Sequence, residues 1–72
     1  MPKLYSATKI IKTLQKAGFS VVSQRGSHIK LSKRTSYKTL TAIVPNHKEV
    51  AMGTFHSILK QAEMTKEEFE RF

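Results

Sequence analysis

The sequence predicts an α+β fold in which two helices cover one face of a three-stranded antiparallel sheet. Three observations favour this class: helical spacing of apolar residues near both ends of the chain, alternation of apolar and polar residues between them, and short turns. The chain has 72 residues and no linker-like or repetitive segment, so we expect one domain over residues 1–72. The predicted element order is α-β-β-β-α, followed by a short C-terminal helix.

The first helix is predicted to begin after Ser6, a suitable N-cap, and to end near Gly18, a residue type that commonly terminates helices. The apolar residues between them follow the helical period: Ala7, Ile10, Ile11, Leu14 and Ala17. A stripe of lysines lies nearly opposite this apolar face and consists of Lys9, Lys12 and Lys16. The stripe is either an ordinary solvated face or a strip that contacts the phosphates of a nucleic acid.

Three strands follow, predicted over residues 19–23, 27–32 and 38–44. Arg25-Gly26 is typical of a hairpin turn between the first two strands. Pro45 ends the third strand, because proline has no N–H to donate to a sheet. Consecutive strands on such short turns predict an antiparallel meander.

The second strand places four side chains in clear alternation. Ile29 and Leu31 share one face, and His28 and Lys30 share the other. Since the apolar pair must face the core, we expect His28 to face outward, beside the turn that contains Arg25.

After a loop over residues 46–53, Thr54 is predicted to cap the second helix. The apolar face of that helix consists of Phe55, Ile58, Leu59 and Ala62. Residues 65–68 match a capping box, with Met64 and Phe69 in position for a hydrophobic staple, so a short helix over residues 66–71 should follow. This element order is that of the double-stranded RNA-binding domain, although topology alone does not determine function.

The charge of the chain indicates a polyanionic partner. Thirteen Lys and Arg stand against five Glu, with a net charge of +8. Residues 1–62 hold eleven basic residues and one acid, a net of +10, whereas residues 63–72 have a net of −2. Nucleic acid is the first candidate for such a domain. A solvated basic surface or a ribosome-associated fragment is the alternative.

Composition excludes several classes of protein. The chain has no Cys, which removes disulfides, thiol nucleophiles and cysteine-based zinc sites. No apolar run approaches the roughly 20 residues that span a membrane, and no apolar segment typical of a secretory leader follows Lys3. We therefore expect a cytoplasmic protein that contacts no membrane.

The residues available for catalysis are few. The chain has no Asp, and four of its five Glu lie in the last ten residues, so paired-carboxylate chemistry and Ser–His–Asp catalysis are implausible. Three histidines remain, His28, His47 and His56, and their spacing matches no metal-ligand motif, so we expect neither metal nor cofactor.

Histidine suits RNA cleavage, because RNA carries its own nucleophile in the 2′-OH. An exposed imidazole near neutral pH can move the protons, and cations can stabilise the developing negative charge. His28 is therefore the candidate catalytic residue, and Arg25 and Lys30 are candidates for neutralising the phosphate.

Four short motifs in this order resemble the HicA toxins, which are small mRNA interferases of HicA–HicB toxin–antitoxin systems. The motifs are Gly26-Ser27-His28, Val44-Pro45-Asn46-His47, Gly53-Thr54-Phe55 and Ile58-Leu59-Lys60-Gln61-Ala62, and the resemblance covers residues 6–65. The chain departs from the family where Glu63-Met64 replaces the usual Gly-Leu and Phe55 replaces the usual Leu. Neither change touches the expected chemistry.

The resemblance implies a double-stranded-RNA-binding-like fold and ribosome-independent mRNA cleavage by His28. It also implies an acidic HicB-like antitoxin that covers the active surface. The resemblance further implies that the toxin–antitoxin pair contacts DNA only through the antitoxin.

In this interpretation RNA crosses the first helix and the first hairpin turn. The residues expected to contact it are Lys9, Lys12, Lys16, Arg25, Gly26, Ser27 and Lys30. Gly26 either lets the RNA backbone approach closely or only serves the turn. His47 is expected to serve loop hydrogen bonding, and His56 is expected to have no special role.

Three rival interpretations stay open at this stage. The first is a non-catalytic RNA-binding module of the same fold, for which replacing His28 would matter little. The second is a protein whose basic face only meets an acidic protein partner. The third, a DNA-binding protein, is disfavoured because no helix-turn-helix spacing is evident.

Overall fold

A computed structural model describes residues 3–72 of the chain. The elements, in order, are α1 (Ala7–Lys16), β1 (Ser20–Arg25), β2 (His28–Arg34), β3 (Thr39–Pro45), α2 (Met52–Gln61) and α3 (Lys66–Glu70). The strands form one open sheet in the order β1-β2-β3, and both pairs are antiparallel. The predicted α+β class, element order and meander are confirmed.

The ends of α1 follow the sequence prediction. The Lys9 N–H donates to the Ser6 side-chain oxygen at 3.0 Å, which is an N-cap bond. At the other end Gly18 has φ +106°, a conformation that a side chain would strain. A Cβ at Gly18 would also lie 3.2 Å from Cε of Lys33. Both the backbone conformation and the available space therefore favour glycine at this position.

The sheet register assigns each strand residue to one of two faces. Ile29 pairs with Val44 and Leu31 pairs with Ala42, and all four side chains are buried toward the helices. Residues of the alternate positions, including His28 and Lys30, are exposed on the outer face. The predicted alternation along β2 is therefore confirmed.

The first strand differs from its prediction in position and in burial. It runs from Ser20 to Arg25, and Phe19, which was expected to begin it, instead packs into the core just before the strand. Val21 and Val22 are 46% and 54% exposed, and the register shifts between Val21 and Ser23. The reason is that the helices cover the other edge of the sheet better: α2 and α1 both pack on β3, whereas of these two helices α1 is the main cover of β1.

The core lies between the sheet and the three helices. It consists of Ala7, Ile10, Leu14, Phe19, Ile29, Leu31, Leu40, Ala42, Val44, Val50, Phe55, Ile58, Leu59, Ala62 and Phe69. The rings of Tyr5, Phe55 and Phe69 meet with centroids 5.0–5.2 Å apart. Because Phe69 is only 1% exposed, α3 closes one end of the core.

The cap of α3 is the predicted capping box. The Glu68 N–H donates to the Thr65 hydroxyl oxygen at 3.1 Å, and the Thr65 N–H donates to Glu68 Oε1 at 2.9 Å. Met64 and Phe69 both pack on the core, as a hydrophobic staple requires.

The predicted cap of α2 by Thr54 is wrong. The helix begins at Met52 with Ala51 as its N-cap, and no side chain caps it. The Val50 N–H donates to the Tyr5 carbonyl at 2.8 Å and Val50 is buried, so the loop ends earlier than expected. Thr54 therefore lies inside the first turn of the helix.

The third strand extends to Pro45, one residue beyond the expected end. Among residues 3–72, no helix combines the length and apolar character needed to cross a membrane.

Candidate functional site

His28 lies at the first position of β2, held from both sides by backbone pairing. It is opposite Arg25 on β1 and opposite Pro45 on β3. One residue earlier, the Ser27 carbonyl accepts a hydrogen bond from the Asn46 N–H at 2.6 Å, which extends the pairing into the loop after β3. The backbone of His28 is therefore fixed, while its imidazole is exposed on the outer face of the sheet.

A two-residue loop, Gly26-Ser27, connects β1 to β2. Gly26 has φ +59° and is the first central residue of the turn, the position that a type II′ hairpin gives to glycine. Its carbonyl accepts a hydrogen bond from Gln24 Nε2 at 3.1 Å. Apart from its chain neighbours, no heavy atom of residues 3–72 would lie within 4 Å of a Cβ added at Gly26, so the space above this turn is open.

The outer face holds a shallow cavity, here called the basic cavity, beside the turn. It is lined by Ser23, Arg25, His28, Lys30 and Ile43. The register explains this set, because Arg25 and His28 form one cross-strand row while Ser23, Lys30 and Ile43 form the next. Three residues that the sequence assigned to the site are thus brought together: Arg25, His28 and Lys30.

A second cavity, here called the β3–α2 cleft, opens on the other side of His28. Its lining is His28, Ile43, Pro45, His47, Glu49, Ala51, Thr54, Ser57, Ile58 and Gln61. One side of α2 supplies Thr54, Ser57 and Gln61, because residues three and four apart share a helix face. His28 borders both cavities and therefore stands at their junction.

Gln61 holds the wall of the cleft against the sheet. β3 is an edge strand, so its outward N–H groups lack a strand partner. The Ile43 N–H donates instead to Gln61 Oε1 at 3.0 Å. This bond ties α2 to β3 at the Gln61 end of the cleft.

His47, which the sequence analysis assigned to loop hydrogen bonding rather than to the site, also lines the cleft. Its N–H donates to the Pro45 carbonyl at 2.9 Å, and its carbonyl accepts from the Ala7 N–H at 2.9 Å. The expected loop hydrogen bonding is thus made by its backbone, which leaves the exposed side chain to line the cleft. The two histidines are brought to one cleft by the strand register, in which Pro45 pairs with His28 and His47 follows two residues later.

The lysine stripe lies on the exposed side of α1, and none of its members lines either cavity around His28. Lys9 lines a separate cavity together with Tyr5, Lys48 and Glu49. Because Glu49 also borders the β3–α2 cleft, the Lys9 end of the stripe adjoins that cleft. Lys12 and Lys16 continue along the helix away from it.

Negative charge is sparse around His28. Among the described residues, Glu49 is the only acidic one that lines either cavity. Glu63 forms an exposed ion pair with Lys38, and its hydrogen bond raises the pKa of that lysine above its ordinary value. Within residues 3–72, no group of three or more His, Asp or Glu is arranged to hold a metal ion.

The fold and the site together define a class: a small basic α+β domain that presents an exposed histidine between two cavities, one of them lined by cations. The family model described as HicA toxin of bacterial toxin-antitoxin matches residues 7–64, and the chain belongs to this family. It is therefore a toxin of the toxin–antitoxin type, which confirms the resemblance seen in its motifs. No curated protein matches the chain.

Proposed function

We propose that this toxin is a metal-independent, ribosome-independent endoribonuclease that cleaves mRNA with His28 as its catalytic residue. Membership of a toxin family supports a toxic activity of some kind. The observation that carries the proposal is the exposed His28 at the junction of two cavities, with Arg25 and Lys30 beside it in one of them. This is the set of groups that RNA cleavage by its own 2′-OH needs from a protein.

In this mechanism His28 moves a proton at the reacting centre, as general base, general acid or each in turn. Arg25 and Lys30 stabilise the extra negative charge on the phosphorus centre as the 2′-oxygen attacks. Cations fixed beside the reacting phosphate stabilise the transition state without reorganisation at the moment of reaction.

The RNA path of the proposal runs past the hairpin turn and toward α1. The open space at Gly26 gives a phosphate access to backbone near His28. Lys9, Lys12 and Lys16 hold phosphates further along the strand, and such contacts are independent of sequence.

The neutralising partner in this proposal is an acidic HicB-like antitoxin that covers the cavities around His28. Residues 1–62 carry a net charge of +10, which an acidic surface complements. The toxin contacts DNA only indirectly, through that antitoxin.

The test is cleavage of a long mRNA by purified protein in EDTA, without ribosomes. His28→Ala is compared with wild type, and His56→Ala is the matched control, since His56 is an exposed histidine that lines neither cavity. Circular dichroism confirms that all three are folded. We expect wild type and His56→Ala to cleave the mRNA. The cleavage rate of His28→Ala should be at least about a hundredfold lower, in the range typical for loss of an acid–base residue.

Two other results of this assay would contradict the proposal. Equal cleavage by His28→Ala would move catalysis to another residue or reveal a contaminating nuclease. RNA binding without cleavage by any variant would favour the non-catalytic RNA-binding module.

A further inference from the structure

We propose that His47 is a second catalytic residue, which protonates the leaving 5′-oxygen while His28 takes the proton of the 2′-OH. This inference rests on the proposed function and deepens it. It assigns two separate groups to the two proton transfers, which occur on opposite sides of the phosphorus centre.

The first support is that His28 and His47 line the same β3–α2 cleft. The sheet register brings them together, because His28 pairs with Pro45 and His47 follows Pro45 by two residues. The hydrogen bond from the Asn46 N–H to the Ser27 carbonyl, at 2.6 Å, closes the connection between the two segments. A phosphodiester in the cleft therefore has an imidazole from each segment near it.

The second support is that the loop holding His47 is fixed. The peptide groups of His47 are bonded on both sides, to Pro45 and to Ala7, at 2.9 Å each. Val50, at the end of the same loop, is buried and bonded to Tyr5. An exposed side chain on a rigid backbone is preorganised for catalysis, since little ordering remains when substrate binds.

The third support is the distribution of charge around the two imidazoles. His28 shares the basic cavity with Arg25 and Lys30, cations that can stabilise negative charge on a phosphate beside it. His47 does not line that cavity, and Glu49 lines the cleft that the two histidines share. Lys48, next to His47 in the chain, lines a further cavity together with His47, Ser6 and Asn46.

The proposed step balances in atoms and charge. His28 accepts the proton of the 2′-OH, and the 2′-oxygen forms a bond to phosphorus. The bond from phosphorus to the 5′-oxygen breaks, and that oxygen takes a proton from the His47 imidazolium. The products are a 2′,3′-cyclic phosphate and a 5′-hydroxyl, and both histidines return to their starting forms by proton exchange with water.

The test uses two RNA substrates with the same sequence. One has an ordinary phosphodiester, and the other has sulfur in place of the bridging 5′-oxygen at the scissile bond. A thiolate leaves without protonation, so the sulfur substrate removes the need for a general acid but not for a base. The proteins are wild type, His28→Ala, His47→Ala, His47→Gln and the control His56→Ala.

We expect His47→Ala and His47→Gln to lower kcat/KM on ordinary RNA by about 10²–10⁴-fold, the usual contribution of an acid–base residue. On the sulfur substrate both variants should cleave within a few-fold of the wild-type rate. His28→Ala should be slow on both substrates. Because the His47 side chain is exposed, the variants should fold normally, which circular dichroism and thermal unfolding check.

Two results would overturn this inference while leaving the proposed function intact. One is a wild-type rate for the His47 variants on ordinary RNA. The other is an equal loss on both substrates, which would make His47 a base or a binding residue. If wild type cleaves neither substrate, the proposed function itself fails, and the second role fails with it.

Discussion

At the scale of single residues, Gly26 combines two properties that are separable by mutation. Its φ of +59° is a conformation that side chains rarely adopt, and the space around its missing Cβ is empty. The first property concerns stability of the turn. The second concerns access of a phosphate to the backbone beside His28. A substitution that fits the turn conformation but fills the open space therefore separates the two roles.

We predict that Gly26→Ala lowers the free energy of unfolding by about 1 kcal/mol, because a side chain strains the left-handed conformation even without a clash. Gly26→Asn should cost less, since Asn tolerates this conformation. If the RNA backbone approaches closely, Gly26→Asn should nevertheless lose most RNA cleavage. Chemical denaturation measures the first effect, and an mRNA cleavage assay measures the second.

A stable Gly26→Asn variant with wild-type cleavage would leave Gly26 with a role in the turn only. Ser36→Asn is the matched control, because Ser36 is an exposed residue in the other turn of the meander. It should change neither stability nor cleavage.

At the scale of elements, α3 is the shortest helix described and depends on its capping box. The Thr65 backbone N–H, and then the Thr65 hydroxyl, hydrogen-bond with Glu68 and hold the pKa of its carboxyl below the ordinary value. The folded state therefore binds a proton at Glu68 less readily than the unfolded chain does. The resulting stabilisation is complete above the unfolded pKa of about 4.3 and is lost as pH falls through the lower folded pKa.

We accordingly predict that the free energy of unfolding falls less steeply with decreasing pH in Glu68→Gln than in wild type. Glutamine can keep the capping hydrogen bond but cannot titrate. The measurement is the free energy of unfolding between about pH 6 and pH 3, the window in which carboxylates titrate. Glu67→Gln removes a neighbouring exposed acid in the same first turn that takes no part in the capping box, and it is the control for the loss of one carboxylate. Identical slopes in wild type and both variants would contradict the prediction.

The elements also show which features a sequence pattern can predict. The alternation along β2 and the capping box of α3 are local patterns, so their burial and bonding were predictable. The start of α2 was not, because a tertiary hydrogen bond from Val50 to Tyr5 ends the preceding loop. The exposure of β1 was not predictable either, since it depends on where the helices lie over the sheet.

The same distinction applies to the candidate site. Arg25, His28 and Lys30 come from one hairpin, so alternation and a short turn were enough to group them. His47 joins them through the β2–β3 register and through a loop bonded to α1. No local spacing relates positions 28 and 47. A local sequence pattern therefore does not connect His47 with His28, and the exact strand register is needed to do so.

At the scale of the whole molecule, positive charge extends from the cavities around His28 to the exposed side of α1. The N-terminal end of α1 is fixed at the site, because the Ala7 N–H donates to the His47 carbonyl at 2.9 Å. Lys9 lies in the first turn of the helix and lines a cavity that shares Glu49 with the cleft. Lys16 is seven residues further on, about 10 Å along the helix axis. The stripe therefore leads away from the site in a defined direction.

This geometry predicts that Lys9, which lies nearer the site, contributes to RNA binding at shorter RNA lengths than Lys16 does. In a His28→Ala background, Lys9→Gln and Lys16→Gln should each weaken binding of a long single-stranded RNA and reduce the salt dependence by a slope of about 0.7. A dinucleotide should bind all variants equally. In a series of increasing RNA lengths, the loss caused by Lys9→Gln should appear before the loss caused by Lys16→Gln.

The control for this series is Lys66→Gln, which removes the same charge from the exposed side of α3. It should leave the slope of the salt dependence unchanged at every length. Unchanged slopes for Lys9→Gln and Lys16→Gln as well would make the stripe a solvated face. If Lys16→Gln acts at shorter lengths than Lys9→Gln, the RNA enters from the opposite end of α1. The order of the two losses thus gives the direction of the bound strand, because phosphate contacts can form only as far as the RNA extends.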